Sequence, residues 1–156
     1  FAASATAGPA GSLDKLHALM HALHDLVRFD TNATDVVTTA AEAFHAGHGV
    51  CQDFSHVFCA AARSIGIPAR YVSGYLMRPG IAEQEASHAW SEAYVQDLGW
   101  VSFDAANAIC ATDLYVRIAI GLDYLEAAPI RGSYYGMAEE RMEVKLKIDS
   151  ARQTQS

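Results

Sequence analysis

Gly47-His48-Gly49-Val50-Cys51-Gln52-Asp53-Phe54 is the stretch on which the reading of the fold turns. Two glycines break the chain. The run after them, from Cys51 to Ile65, is rich in Ala, Phe and Val, as a largely buried helix would be. Gly66 is a suitable stop for that helix, and Pro68 lies just beyond it. A cysteine therefore opens a helix. The first N–H groups of a helix have no partner within it and carry partial positive charge. They favour thiolate over thiol in a cysteine placed there, and they can hold the oxyanion formed when a thiolate attacks a carbonyl. The flexibility of Gly47 and Gly49 would let a substrate backbone approach closely.

Working upstream, Leu16, Leu19, Met20, Leu23, Leu26 and Val27 recur at the spacing of one helical face from Leu13, with Ser12 as the expected N-cap. A second helix is expected from a Thr34 cap, with Val36, Val37, Ala40, Ala41 and Phe44 inward. Residues 1–11 read as a flexible lead-in of small residues. Downstream the period changes from helical to alternating. Arg70 to Leu76 predicts a strand, and His88 to Val95 another after a loop with Pro79 and Gly80. A turn over Gln96–Gly99 then returns the chain as Trp100–Phe103. Strands over Tyr115–Ile120 and Met142–Ile148 complete the set, the last alternating Val144, Leu146 and Ile148 with Lys145 and Lys147. Helices followed by an antiparallel meander describe one α+β domain over residues 12–150, with 151–156 as a tail.

Composition narrows the function. The chain has 156 residues, 51% of them hydrophobic, which suits one well-buried domain and excludes a disordered or fibrous class. A formal net charge of -7 argues against non-specific nucleic-acid binding and against an anionic membrane surface. No apolar stretch approaches the roughly 20 residues that span a bilayer. The three cysteines, Cys51, Cys59 and Cys110, are too few for a disulfide-stapled fold and suggest a reducing, cytoplasmic setting. Cys59 and Cys110 sit in apolar runs and read as small core residues.

A thiolate nucleophile needs a base and a group to orient that base. His88 opens a strand after a loop, and Asp104 closes the next strand of the same hairpin. Side chains alternate along strands, so the two share a face if even positions pair with even ones. Asp104 would then hold the imidazole in one tautomer and stabilise the imidazolium. The turn length allows that register without fixing it.

Three blocks resemble the transglutaminase-like superfamily: Gly49-Val50-Cys51-Gln52-Asp53-Phe54, then Gly66-Ile67-Pro68-Ala69-Arg70-Tyr71-Val72-Ser73-Gly74-Tyr75, then Ser87-His88-Ala89-Trp90 followed by Gly99-Trp100-Val101-Ser102-Phe103-Asp104. The resemblance covers about residues 13–148 and is strongest to bacterial members grouped with cysteine peptidases. It implies a papain-like (transglutaminase core) fold, with the nucleophile at a helix start packed on an antiparallel sheet. It also implies a Cys51–His88–Asp104 triad acting on peptides or proteins through a thioester, with no metal or organic cofactor. Relatives of this group carry a further β-rich N-terminal region, so the chain is expected to be a fragment of a longer protein. Animal transglutaminases place an oxyanion-binding Trp upstream of the nucleophile, whereas Trp90 and Trp100 both lie downstream. Hydrolysis is therefore the leading expectation, protein-glutamine transamidation the alternative, and a non-catalytic binding module on the same fold the third.

Around this centre, Gln52 and Asp53 are candidates to support the oxyanion site, and Asp53 equally suits a helix first turn. Tyr75, Ser87 and Trp90 are candidates to line a substrate groove, while Tyr75 also reads as a plain sheet aromatic and Trp90 and Trp100 as core. Arg70 is a structural charge partner, with Asp53 as its expected mate. His17, His21 and His24 share a helical flank that reads as solvated, and His45 and His48 match no zinc spacing. His56 reads as a packing histidine. Arg131 to Gly136 is loop-like and aromatic, an edge of the groove or a crossing of the sheet.

Overall fold

The computed structural model describes residues 1–8, 10–31, 34, 38–78, 83–84, 87–128 and 146–147. Val36, Val37, the 131–136 segment, the 151–156 tail and most of the expected strand over Met142–Ile148 lie outside them. Within that strand, Leu146–Lys147 pairs antiparallel with Glu83–Gln84.

The long helices form where the apolar spacing places them. The residues expected to be a lead-in contain a one-turn helix, α1 (Ala2–Ala5), whose Ala2 is buried and whose neighbour Phe1 lies 5.0 Å from the Phe44 ring. Helix α2 (Ser12–Leu26) starts one residue earlier than a Ser12 cap would give, with Gly11 in the cap position. It buries Leu16, Leu19, Met20 and Leu23. A two-residue strand β1 (Arg28–Phe29) pairs in parallel with β2 (His48–Gly49), so the glycine-flanked break also carries a short ladder. Helix α3 (Ala40–Ala46) begins later than a Thr34 cap would place it. Thr39 is the cap: its hydroxyl accepts from the N–H of Glu42, and the Glu42 carboxylate accepts from the N–H of Thr39. Ala43 is the buried face, while Ala41 is exposed rather than inward.

Helix α4 (Cys51–Ser64) starts at the cysteine, as read from the glycines upstream. Its cap position is Val50, which has no acceptor of its own. Asp53 fills that need from the third helical residue, where its Oδ2 accepts from the Val50 N–H at 2.8 Å. The side chain that reaches back lies so close to Gly49 that a Cβ there would meet it at 2.7 Å. The other end closes with Gly66 left-handed (φ 80), Gly66 N–H bonded to Arg63 and Ile67 N–H bonded to Ala62.

The main sheet holds β3 (Ala69–Leu76), β5 (His88–Val95), β6 (Gly99–Phe103) and β7 (Tyr115–Gly121), in the order β6-β5-β3-β7; the label β4 belongs to Glu83–Gln84. The order corrects the expected meander. After the β5–β6 hairpin the chain crosses to the far edge, where β7 pairs antiparallel with β3. A short helix α5 (Tyr124–Ala127), capped by Asp123, follows β7. The core lies between α2, α4 and one face of the sheet: Leu16, Leu19, Leu23, Phe58, Ala93 and Phe103 are all fully buried. No helix among the described residues is long and apolar enough to cross a membrane.

Candidate active site

The hairpin register decides whether the candidate base and its orienter meet. Glu92 pairs with Ser102 and Tyr94 with Trp100, so even positions oppose even positions. The turn that sets this has three residues between Val95 and Gly99, with Asp97 (φ 68) and Gly99 (φ 80) both left-handed. Continued past Ser91–Phe103, the register brings Asp104 opposite Trp90 and diagonal to His88 on one face. His88 Nε2 then lies 2.6 Å from Asp104 Oδ2. The Cys51 thiol lies near enough to the same ring to favour its cation. With Nε2 committed to Asp104, Nδ1 is the nitrogen left to face the sulfur.

The three side chains differ in exposure. Asp104 is buried at 1%, while Cys51 and His88 are half-buried at the surface end of the cluster. Burial, the largest single influence on His88, disfavours its cation. The hydrogen bonds and charges of Asp104 and Cys51 together outweigh it and push His88 up to about 9. Burial likewise opposes the Asp104 carboxylate. The hydrogen bond and charge of His88, with hydrogen bonds from Asn107 and Tyr115, nevertheless hold Asp104 below the ordinary carboxylate range.

Residues that the sequence did not single out complete the surroundings of Asp104. Asn107 donates from Nδ2 to Oδ2 at 2.7 Å and from its backbone N–H to Oδ1 at 3.2 Å. Tyr115, at the start of β7, donates its hydroxyl to Oδ2 at 2.8 Å. From α2, His24 Nδ1 lies 3.1 Å from the Ala105 carbonyl and ties the same turn to the helical layer. The only sequence signal for these was Asn107 three residues after an acid, a common turn pattern. Tyr115 could not be foreseen, because it arrives from the strand that crosses the sheet.

The remaining candidates fall out unevenly. Asp53 is 1% exposed, and its Oδ2 accepts from Val50 N–H and from the Thr34 hydroxyl, so it builds the helix start that presents Cys51. Gln52 is buried next to it in the first turn. Trp90 is 2% exposed, stacked 6.1 Å from His88 and edge-on to Tyr115 at 5.2 Å. The indole backs the imidazole from inside the fold, as a core aromatic does. Tyr75 is half-buried opposite Val116, and Ser87 is exposed immediately before His88. Arg70 does not reach Asp53. It pairs with Glu92 at 2.6 Å and lies 4.1 Å over the Trp100 ring, because its strand position faces the opposite hairpin partner.

Away from the centre, His56 accepts from the Tyr124 N–H at 3.0 Å and packs on Tyr71, as a packing histidine does. His21 and His24 are exposed, while His17 is half-buried against Phe103. Among the described residues no cluster of three or more His, Cys, Asp or Glu side chains is placed to hold a metal. A cavity of about 550 Å³ lined by Arg63, Arg70, Trp100, Ile120 and Leu122 involves none of Cys51, His88 and Asp104.

An antiparallel sheet packed on a helix that opens with cysteine, with His and Asp following in that order, defines a transglutaminase-like domain. The chain belongs to the transglutaminase-like superfamily, whose core matches residues 1–105. It is 38% identical over 120 residues to the uncharacterized protein ML0607 of Mycobacterium leprae, covering 74% of this chain and 42% of that protein. It is 31% identical over 131 residues to the uncharacterized protein Rv2569c of Mycobacterium tuberculosis, covering 78% of this chain and 41% of that one. The chain thus spans less than half the length of these relatives. Among solved structures, a Cytophaga hutchinsonii protein provisionally assigned as a cysteine protease superposes with a TM-score of 0.73 at 24% identity, over 92% of this chain and 54% of that one. LapG of Legionella pneumophila superposes with a TM-score of 0.59 at 14% identity, over 77% of this chain and 69% of that one. At these identities the structures establish the shared fold.

Proposed function

We propose that the protein is a cysteine-nucleophile acyl-transfer enzyme that hydrolyses peptide or amide bonds of a peptide or protein substrate through a thioester. The observation that carries this reading is one imidazole hydrogen-bonded to the Asp104 carboxylate beside a cysteine that opens a helix. His88 binds its proton up to about pH 9, which makes it the acid that a leaving amine needs. Cys51 Sγ adds to the substrate carbonyl carbon, and backbone N–H groups at the opening of α4 receive the oxyanion. As the tetrahedral intermediate collapses, the C–N bond breaks and His88 gives its Nδ1 proton to the leaving amine. Water then attacks the thioester while His88 takes a proton back. The C–S bond breaks, releasing the acid and restoring the thiol.

Burial pushes the Cys59 and Cys110 thiols up, away from reactivity. Iodoacetamide labelling near neutral pH, read by peptide mass spectrometry, should therefore modify Cys51 well before the other two. His88→Ala should slow Cys51 and leave Cys59 and Cys110 unchanged. Equal labelling of all three cysteines would overturn the reading and favour a binding module on the same fold. With a glutamine-containing peptide and excess amine, release of the free acid supports hydrolysis, whereas amine incorporation replaces it with transamidation.

A further inference from the structure

We propose that Tyr115 and Asn107 are positioning residues that keep Asp104 a pure hydrogen-bond acceptor and thereby hold the His88 proton on Nε2. The inference rests on the acyl-transfer reading above and adds to it the residues that set the state of the base. Oδ2 of Asp104 meets three donors: His88 Nε2 at 2.6 Å, Asn107 Nδ2 at 2.7 Å and the Tyr115 hydroxyl at 2.8 Å. Oδ1 receives the Asn107 backbone N–H at 3.2 Å. A proton placed on either oxygen would point at a group that is itself donating. Two of those donors cannot reverse their role: an amide NH2 and a backbone N–H only donate. The Tyr115 hydroxyl could reverse only by losing its proton, and burial together with the neighbouring Asp104 pushes that phenol far above its ordinary range.

With Asp104 unable to carry the proton, the imidazole must supply one at Nε2. That leaves Nδ1 as the single exchangeable position facing Cys51. The rings reinforce the same geometry, since Tyr115 lies 5.8 Å from His88 and edge-on to the Trp90 indole that backs it. The cluster draws on four parts of the fold: Cys51 from α4, His88 from β5, Asp104 and Asn107 from the turn after β6, and Tyr115 from β7. The titratable groups around Asp104 are therefore His88, Cys51 beyond it, Tyr115, and His24 of α2 through the Ala105 carbonyl.

Tyr115→Phe keeps the ring and deletes only the hydroxyl, and Asn107→Ala deletes the side-chain donor. If both residues act through Asp104, each variant should move the acid limb of the Cys51 alkylation profile up by about one pH unit. That is a tenfold change in proton concentration, the size of one lost hydrogen bond to a charged group. His24→Gln, measured alongside, separates its own titration from that of Asp104. In an Asp104→Asn background neither substitution should shift the limb further. A loss of rate at every pH without a shift, or an unchanged profile, would overturn the positioning role.

Nitrogen-15 NMR of His88 gives a readout that does not depend on activity. Above about pH 9, where the ring is neutral, the unsubstituted protein should show a single Nε2–H form, and both variants a mixture of tautomers. A single Nε2–H form in both variants overturns the inference even if Cys51 proves reactive. Slow alkylation of Cys51 in the unsubstituted protein, with His88 still held as Nε2–H, overturns the acyl-transfer reading and leaves the hydrogen-bond assignment standing.

Discussion

His88 and Asp104 carry opposite pH signatures, and the direction of each follows from its contacts. The folded value of His88, about 9, lies above its ordinary 6.5, so the stability it adds is full below about pH 6.5 and is lost as the pH rises through about 9. Asp104 is held below its ordinary 3.8, so its contribution is full above that pH and is lost as the pH falls through the depressed value. Thermal unfolding should therefore give its highest Tm between about pH 4 and 6.5. The decline from pH 6.5 to 9 should flatten in His88→Ala, as followed by circular dichroism. An equally steep alkaline decline in that variant would show that another group is responsible.

Gly74 shows how the strands, rather than single side chains, seat the imidazole. It pairs with His88 on one side and with Arg117 on the other, at the place where the β3–β7 register shifts. A Cβ there would meet the Val116 carbonyl oxygen at 2.0 Å and the Trp90 ring at 2.7 Å. Backbone cannot yield as a flexible side chain can, so Gly74→Ala must open the β3–β7 ladder or displace Trp90, which packs on His88 and Tyr115. The expected cost is about 1–3 kcal/mol in urea denaturation, with slower alkylation of Cys51 in the folded protein. Alanine at Gly47, where nothing lies within 4 Å, should act only through its left-handed backbone (φ 70) and cost about 1 kcal/mol. Comparable losses at the two positions would contradict the packing account.

Across the molecule, one apolar core fixes the helical layer to the sheet and so fixes the distance from Cys51 to His88. Phe58 of α4 and Phe103 of β6 are fully buried with ring centroids 5.3 Å apart, and His17 of α2 meets Phe103 edge-on at 5.4 Å. Phe103 is also the residue before Asp104. Phe58→Ala should therefore cost about 3–5 kcal/mol in urea denaturation, the range for an aromatic deleted from a packed core. Trp100→Ala, at 43% exposure, should cost far less despite the larger side chain. A reversal of that order would mean that the core lies elsewhere.

Much of this was legible in the chain itself, because local chemistry suffices for it. The helix that opens at Cys51 follows from glycines before it and Gly66 after it, and the β5–β6 hairpin from alternation on either side of a short turn. The order of Cys51, His88 and Asp104 within three family blocks pointed to the site. The sequence alone did not determine the even-to-even register, the crossing to β7 on the far edge or the Thr39 start of α3. Nor did it show which groups meet the two buried acids: Asp53 binds Thr34 and the Val50 N–H, while Asp104 gathers Asn107 and Tyr115. A hydrogen bond between residues distant in sequence depends on how the layers pack, and neither propensity nor hydrophobic period carries that information. So a candidate nucleophile at Cys51 could be read from residues and their order, while the Tyr115 hydroxyl that donates to Asp104 emerged only when β7 was laid beside β3.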